Sequence, residues 1–140
     1  MAIDNIHMDS RLSVYYMGTA FAYLVIGSVI FLVSLSNLLH LDFSYIFILW
    51  FFGFVMMMIF GLSYMFAPGL SHAKYADYRV VRAELAILNA GILLFLASEI
   101  AGLKAAALAG AVIIFAGMLV HVYNMSYMFS KKGKVQRQQP

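Results

Sequence analysis

The chain has no cysteine, so disulfides, thiolate metal sites and redox thiols are all excluded, and cysteine usage says nothing about compartment. Charge is scarce as well: Asp, Glu, Lys and Arg make up 11% of the 140 residues, against 64% hydrophobic residues. No apolar segment carries a charged stripe at helical spacing, which a surface helix of a soluble domain would need. Low-complexity tracts are also missing. What is there instead is four long apolar runs, from about Val14 to Leu39, Phe43 to Phe66, Leu85 to Gly102 and Ala105 to Phe129. Each is near the ~20 residues a helix needs to cross ~30 Å of hydrocarbon. These features predict an all-α, integral-membrane four-helix bundle that occupies residues 1–140 as one membrane domain, with no room for a soluble module.

The first run is too long for the apolar region of a secretory signal and lacks a small-x-small cleavage pattern. It follows a mixed-charge segment with Asp4, Asp9 and Arg11, not a basic one. It is therefore expected to remain as a span. Lys and Arg mark the cytoplasmic flanks of membrane proteins. Arg11 precedes the first span, Lys74, Arg79 and Arg82 lie between the second and third, and Lys131, Lys132, Lys134 and Arg137 follow the fourth. Only Lys104 lies on the other side, so both termini are predicted cytoplasmic. The far-side turns, Asn37 to Asp42 and Ala101 to Lys104, are short and make spans one and two, and three and four, antiparallel neighbours. The basic, Gln-rich segment Ser130 to Pro140 is expected to fray and to act as a topogenic flank that meets anionic headgroups. Nucleic acid is not an expected partner, because no aromatic residues are interleaved with these charges.

Between the second and third spans, Pro68-Gly69 is expected to stop the helix, since proline lacks an amide hydrogen and glycine permits a turn. A reversal there would set Tyr75 and Tyr78 at headgroup depth. Arg79 and Arg82 are expected to pair with Glu84 or with lipid phosphates. At the outer ends Glu99 and Lys104 are read as an interfacial pair with a snorkelling lysine.

Polar residues inside the spans carry the functional question, because burying them in hydrocarbon is costly unless they find partners or a cavity. They are His121, Tyr123 and Asn124 in the fourth span, Glu84, Asn89 and Glu99 in the third, and Trp50 and Tyr64 in the second. His121 would lie roughly 12 Å inside the helix end at Phe129. Met125 and Met128 share its helical face. A histidine in this position can hydrogen-bond a neighbouring helix, ligate a haem iron or a metal ion, or take part in proton or quinone chemistry. With a haem, His72 or His121 of a second copy would be the further ligand. His40 and His72 sit at span ends and read as interfacial, and His7 lies in the amino-terminal tail. Gly53 and Gly61 form a low-relief strip on the second span, and Gly102, Ala106, Ala109 and Gly110 do so on the fourth, where another helix can approach closely. Met56, Met57 and Met58 are consecutive and point in different directions, so they read as packing and not as an ion site.

The stretch Trp50-Phe51-Phe52-Gly53 through Gly61-Leu62-Ser63-Tyr64-Met65-Phe66-Ala67-Pro68, followed by a basic loop and Asn89-Ala90-Gly91, resembles the early transmembrane helices of haem-copper oxidase subunit I, in its cbb3 and nitric-oxide-reductase-like branches. In that family a haem-ligating histidine stands a few residues before the glycine matched by Gly53. Here Ile48, Leu49 and Trp50 occupy those places. The resemblance therefore implies a truncated relative without that ligand and without catalytic activity of its own. It points to an accessory subunit of a respiratory or other redox complex in a prokaryotic cytoplasmic membrane, packed against other membrane subunits or further copies of itself. The alternative is a small b-type cytochrome that carries electrons through a haem b held by His121.

Overall fold

The computed structural model describes the backbone of residues 2–36, 43–71 and 78–135, and the side chains of residues 11–36, 43–68, 70 and 78–130. Among these the chain is helical and contains no strand. Helix α1 spans Ala2–Leu35. The second membrane-length segment, here the second crossing for its length and apolarity alone, is assembled from α2 (Phe43–Ile48), a π-helical segment (Leu49–Met56) and α3 (Met57–Ser71), and it is followed by α4 (Tyr78–Ile100) and α5 (Lys104–Val135). Within them Arg11–Leu35, Phe43–Pro68, Tyr78–Ile100 and Lys104–Ser130 run to 25, 26, 23 and 27 residues, each long and apolar enough to cross a membrane. Large apolar side chains cover the outside, with Leu32 at 64%, Leu108 at 68% and Ile100 at 72% exposure. Such a surface suits lipid better than water.

The helices outrun the apolar runs. α1 begins at Ala2, so His7 is helical and not part of a loose tail, and α5 continues to Val135, so Ser130–Val135 is helix where fraying was expected. Hydropathy registers only the hydrocarbon-facing part, whereas good helix formers such as Lys131 and Lys132 extend the hydrogen-bond ladder beyond it. His121 lies about 12 Å from Phe129, at the end of the apolar span, and about 21 Å from the α5 terminus at Val135. Pro68 does not stop the second crossing either, since α3 carries it internally and ends at Ser71. Membrane helices accept a proline where neighbouring groups satisfy the carbonyl it frees. The Asn37 to Asp42 turn with His40, and the loop residues His72, Lys74 and Tyr75, lie outside the described residues.

Glycine sets the spacing between helices. A Cβ at Gly61 would lie 3.0 Å from Tyr16 Cβ, one at Gly53 2.6 Å from the Tyr23 ring, and one at Gly27 2.7 Å from Trp50. The predicted strip on the second crossing is thus the seat of α1, which runs antiparallel to it. The π segment, whose bonding skips one residue further than in an α-helix, has Gly53 near its middle. On the other side, α5 buries Ala107, Gly110, Ile114, Gly117, His121, Asn124 and Met128, an alternating three-and-four spacing. Val81, Glu84, Leu88, Gly91 and Ser98 answer it from α4. The two form an antiparallel hairpin of coiled-coil type, so close that a Gly110 Cβ would lie 2.8 Å from the Phe95 backbone nitrogen.

Gly102 has a different role from the one expected. It meets nothing within 4 Å and adopts φ +67°. Its amide donates to the Glu99 carbonyl at 3.1 Å and the Leu103 amide to the Ser98 carbonyl at 2.8 Å. This is a Schellman motif closing α4, with glycine at the left-handed position. Gly102 therefore turns the chain, and the close-packing positions on α5 begin at Ala107, while Ala106 is only half-buried and Ala109 is exposed.

Candidate functional site

The polar centre of the bundle is Glu84, fully buried on the second turn of α4. Burial is enforced by phase: Val81, Glu84 and Leu88 share the face that packs into the bundle. An unpartnered carboxylate there would be very costly, and the other helices supply its partners. The Tyr16 hydroxyl from α1 reaches Glu84 Oε1 at 3.0 Å and also lies 3.3 Å from the Val81 carbonyl. His121 Nδ1 from α5 meets the same Oε1 at 2.9 Å. The Tyr64 hydroxyl from α3 donates to Oε2, and Asn124 Nδ2 donates to it at 3.1 Å and to the Tyr64 oxygen at 3.2 Å.

Each carboxylate oxygen thus receives two partners, which fills the lone-pair positions a carboxylate offers. All four membrane-length helices meet at this one group. His121 is equally enclosed: its Nε2 lies 2.9 Å from Ser63 Oγ, its ring stacks on Phe60 with centroids 3.7 Å apart and 4° between planes, and Tyr64 stands edge-on at 5.0 Å. Ser63 Oγ also lies 2.8 Å from the Phe60 carbonyl. When Ser63 donates there, its hydroxyl oxygen accepts from His121 Nε2, and the contact at Nδ1 then needs one more proton, on the imidazole or on Glu84. When it donates to Nε2, the imidazole carries its proton on Nδ1, toward Glu84. Either arrangement uses both ring nitrogens, and His121 retains 6% exposure.

The expected pairing of Arg82 with Glu84 is not formed. Arg82 lies on the exposed side of α4 with its guanidinium carbon 5.6 Å from the Tyr78 ring centroid, while Glu84 faces inward. Two residues further along a helix is a turn of about 200°, which separates the faces. Met128, predicted on the His121 face, is fully buried, and Met125 packs against the core, but neither is a polar partner. Asn89 belongs to a second bridge, accepting from the Tyr23 hydroxyl at 2.8 Å through Oδ1 and donating to the Leu85 carbonyl at 2.8 Å through Nδ2. Tyr123 is 66% exposed on the outer face. Trp50 tilts against Phe31 at 5.6 Å. His121 Nδ1 and Glu84 Oε1 make a close acid–base contact, and among the described residues no ion pair joins Glu99 to Lys104.

Tyr16 and Ser63 escaped the sequence reading. Both lie inside apolar runs next to more conspicuous residues, and the usable signal was depth: Tyr16, Tyr64 and Glu84 all fall within a few residues of the same ends of their runs. Among the described residues no three His, Cys, Asp or Glu side chains converge as a metal site would require. Comparison with known families, characterised proteins and solved structures returned no match.

Proposed function

We propose that the protein is a multi-pass membrane protein that serves as a non-catalytic accessory subunit, its interior devoted to holding four helices in fixed register and its aromatic, apolar exterior available to larger membrane subunits or to further copies. The observation that carries this reading is the closure of the Glu84 network. Both nitrogens of His121 and both oxygens of Glu84 are occupied by groups of the same chain, so neither is presented to a substrate or an axial position. A respiratory or other redox complex in a prokaryotic cytoplasmic membrane, with both termini inside, is the assembly toward which the Trp50–Pro68 resemblance and the Lys and Arg distribution point.

The test is the reduced-minus-oxidised absorption spectrum of protein purified from native membranes, together with the identity of the chains that co-purify. The expected preparation is colourless once separated from its partners and brings down larger membrane subunits. A Soret band that vanishes in His121→Ala would overturn the reading in favour of a b-type cytochrome.

A further inference from the structure

α1 and α4 touch mainly through the Tyr16–Glu84 and Tyr23–Asn89 bonds, and their seam opens outward on either side of the second. A cavity of about 510 Å³ opens there, lined by Leu12, Tyr15, Tyr78, Arg82, Leu85 and Asn89 among others. Further along the same seam lies a second cavity of about 160 Å³. Tyr23, Leu49, Leu93 and Leu96 form its wholly apolar wall. Asn89 borders the first cavity and its partner Tyr23 the second, so the two follow one another along α4.

The polarity is graded. Arg82 sits at the end near the α3–α4 connection, exposed, its guanidinium held near the Tyr78 ring and paired with no carboxylate among the described residues. Cation–π placement fixes the charge without neutralising it. From Arg82 to Leu93 is about 16 Å along the helix axis, close to one leaflet of a ~30 Å hydrocarbon layer.

We infer that the α1–α4 seam is a binding site for one anionic phospholipid, its phosphate on Arg82 beside Tyr15 and Tyr78 and an acyl chain laid along Leu85, Leu93 and Leu96. Charge complementarity selects the headgroup, and the length of the apolar stretch selects a membrane lipid over free phosphate. The inference does not depend on which complex the protein joins.

The protein is reconstituted into nanodiscs of mixed phosphatidylglycerol and phosphatidylcholine, and the lipid that stays bound on ejection is read by native mass spectrometry. Retained phosphatidylglycerol is expected to exceed phosphatidylcholine by about fivefold, the preference one basic side chain supplies near a surface. Arg82→Gln should bring the ratio to parity. Ala86→Trp, which fills the cavity from an exposed lining position, should expel lipid of both kinds. A double Lys131→Gln, Lys132→Gln variant should keep the preference. Equal retention in the unaltered protein, a preference surviving Arg82→Gln, or one lost in the Lys131/Lys132 variant would each overturn the site, the last by assigning the effect to general surface charge. Should Arg82→Gln fail to fold, Ala86→Trp decides alone, since retained lipid would overturn the groove and lost lipid would support it.

Discussion

Glu84 shows how one residue can organise a bundle whose outer surface is as apolar as its interior. Lipid tails are as apolar as the helix surfaces, so association rests on close packing and on hydrogen bonds between helices. The contribution of each bond is modest. Tyr16→Phe, which deletes one donor to the carboxylate, should cost about 0.6–1.7 kcal/mol in detergent unfolding measurements. Glu84→Leu removes the common acceptor of Tyr16, Tyr64, His121 and Asn124 and should cost about 3–5 kcal/mol, in the range for breaking a buried pair. In the Glu84→Leu background, Tyr16→Phe should cost less than in the unaltered protein, because the hydroxyl then has only the longer contact to the Val81 carbonyl left to lose. Additivity of the two substitutions would contradict a shared network. In the sequence, Glu84, His121 and Asn124 all stand out as polar residues inside the spans, but their contact does not, because Glu84 also lies two residues from Arg82 and a local pairing is the natural reading.

Among the helices, glycine does two jobs that composition cannot tell apart. At Gly110 the neighbouring backbone is so close that Gly110→Leu must push α4 and α5 apart, whereas Gly18 meets nothing within 4 Å. Gly18→Ala should therefore be neutral, or stabilise by up to about 1 kcal/mol through helix propensity. Gly110→Leu should lower the unfolding midpoint markedly. Gly102→Ala meets no neighbour but forces a side chain into the left-handed region at φ +67°, and its expected cost is about 1 kcal/mol from the backbone alone. Thermal unfolding of the three variants side by side checks all of these. The spacing of Gly53 and Gly61 made a helix-packing strip legible from sequence. The π segment around Gly53 was not, since an extra residue per turn leaves the hydropathy of Leu49–Met56 unchanged.

For the molecule as a whole, the arrangement is a square of four helical segments in which α1 packs on α3 and its π segment, α3 on α5, α5 on α4 and α4 back on α1. The natural absence of cysteine makes its orientation directly measurable, because any introduced cysteine is a unique label. A reagent that cannot cross the membrane should label Leu103→Cys from one face and Ser130→Cys from the other, with Ser130 cytoplasmic. Labelling of both from the same face would break the four-crossing arrangement.

The number of membrane-length helices, their apolar character and the packing glycines Gly53, Gly61 and Gly110 were determined by the sequence itself, because a helix fit to cross a bilayer needs about 20 apolar residues and that requirement is written locally. The meeting of Tyr16, Ser63, Tyr64, Glu84, His121 and Asn124 was decided only by tertiary structure. Residues as far apart as 16 and 84 become neighbours through the azimuth of each helix and its depth against the next, and neither quantity can be read from the order of residues along one strand of chain.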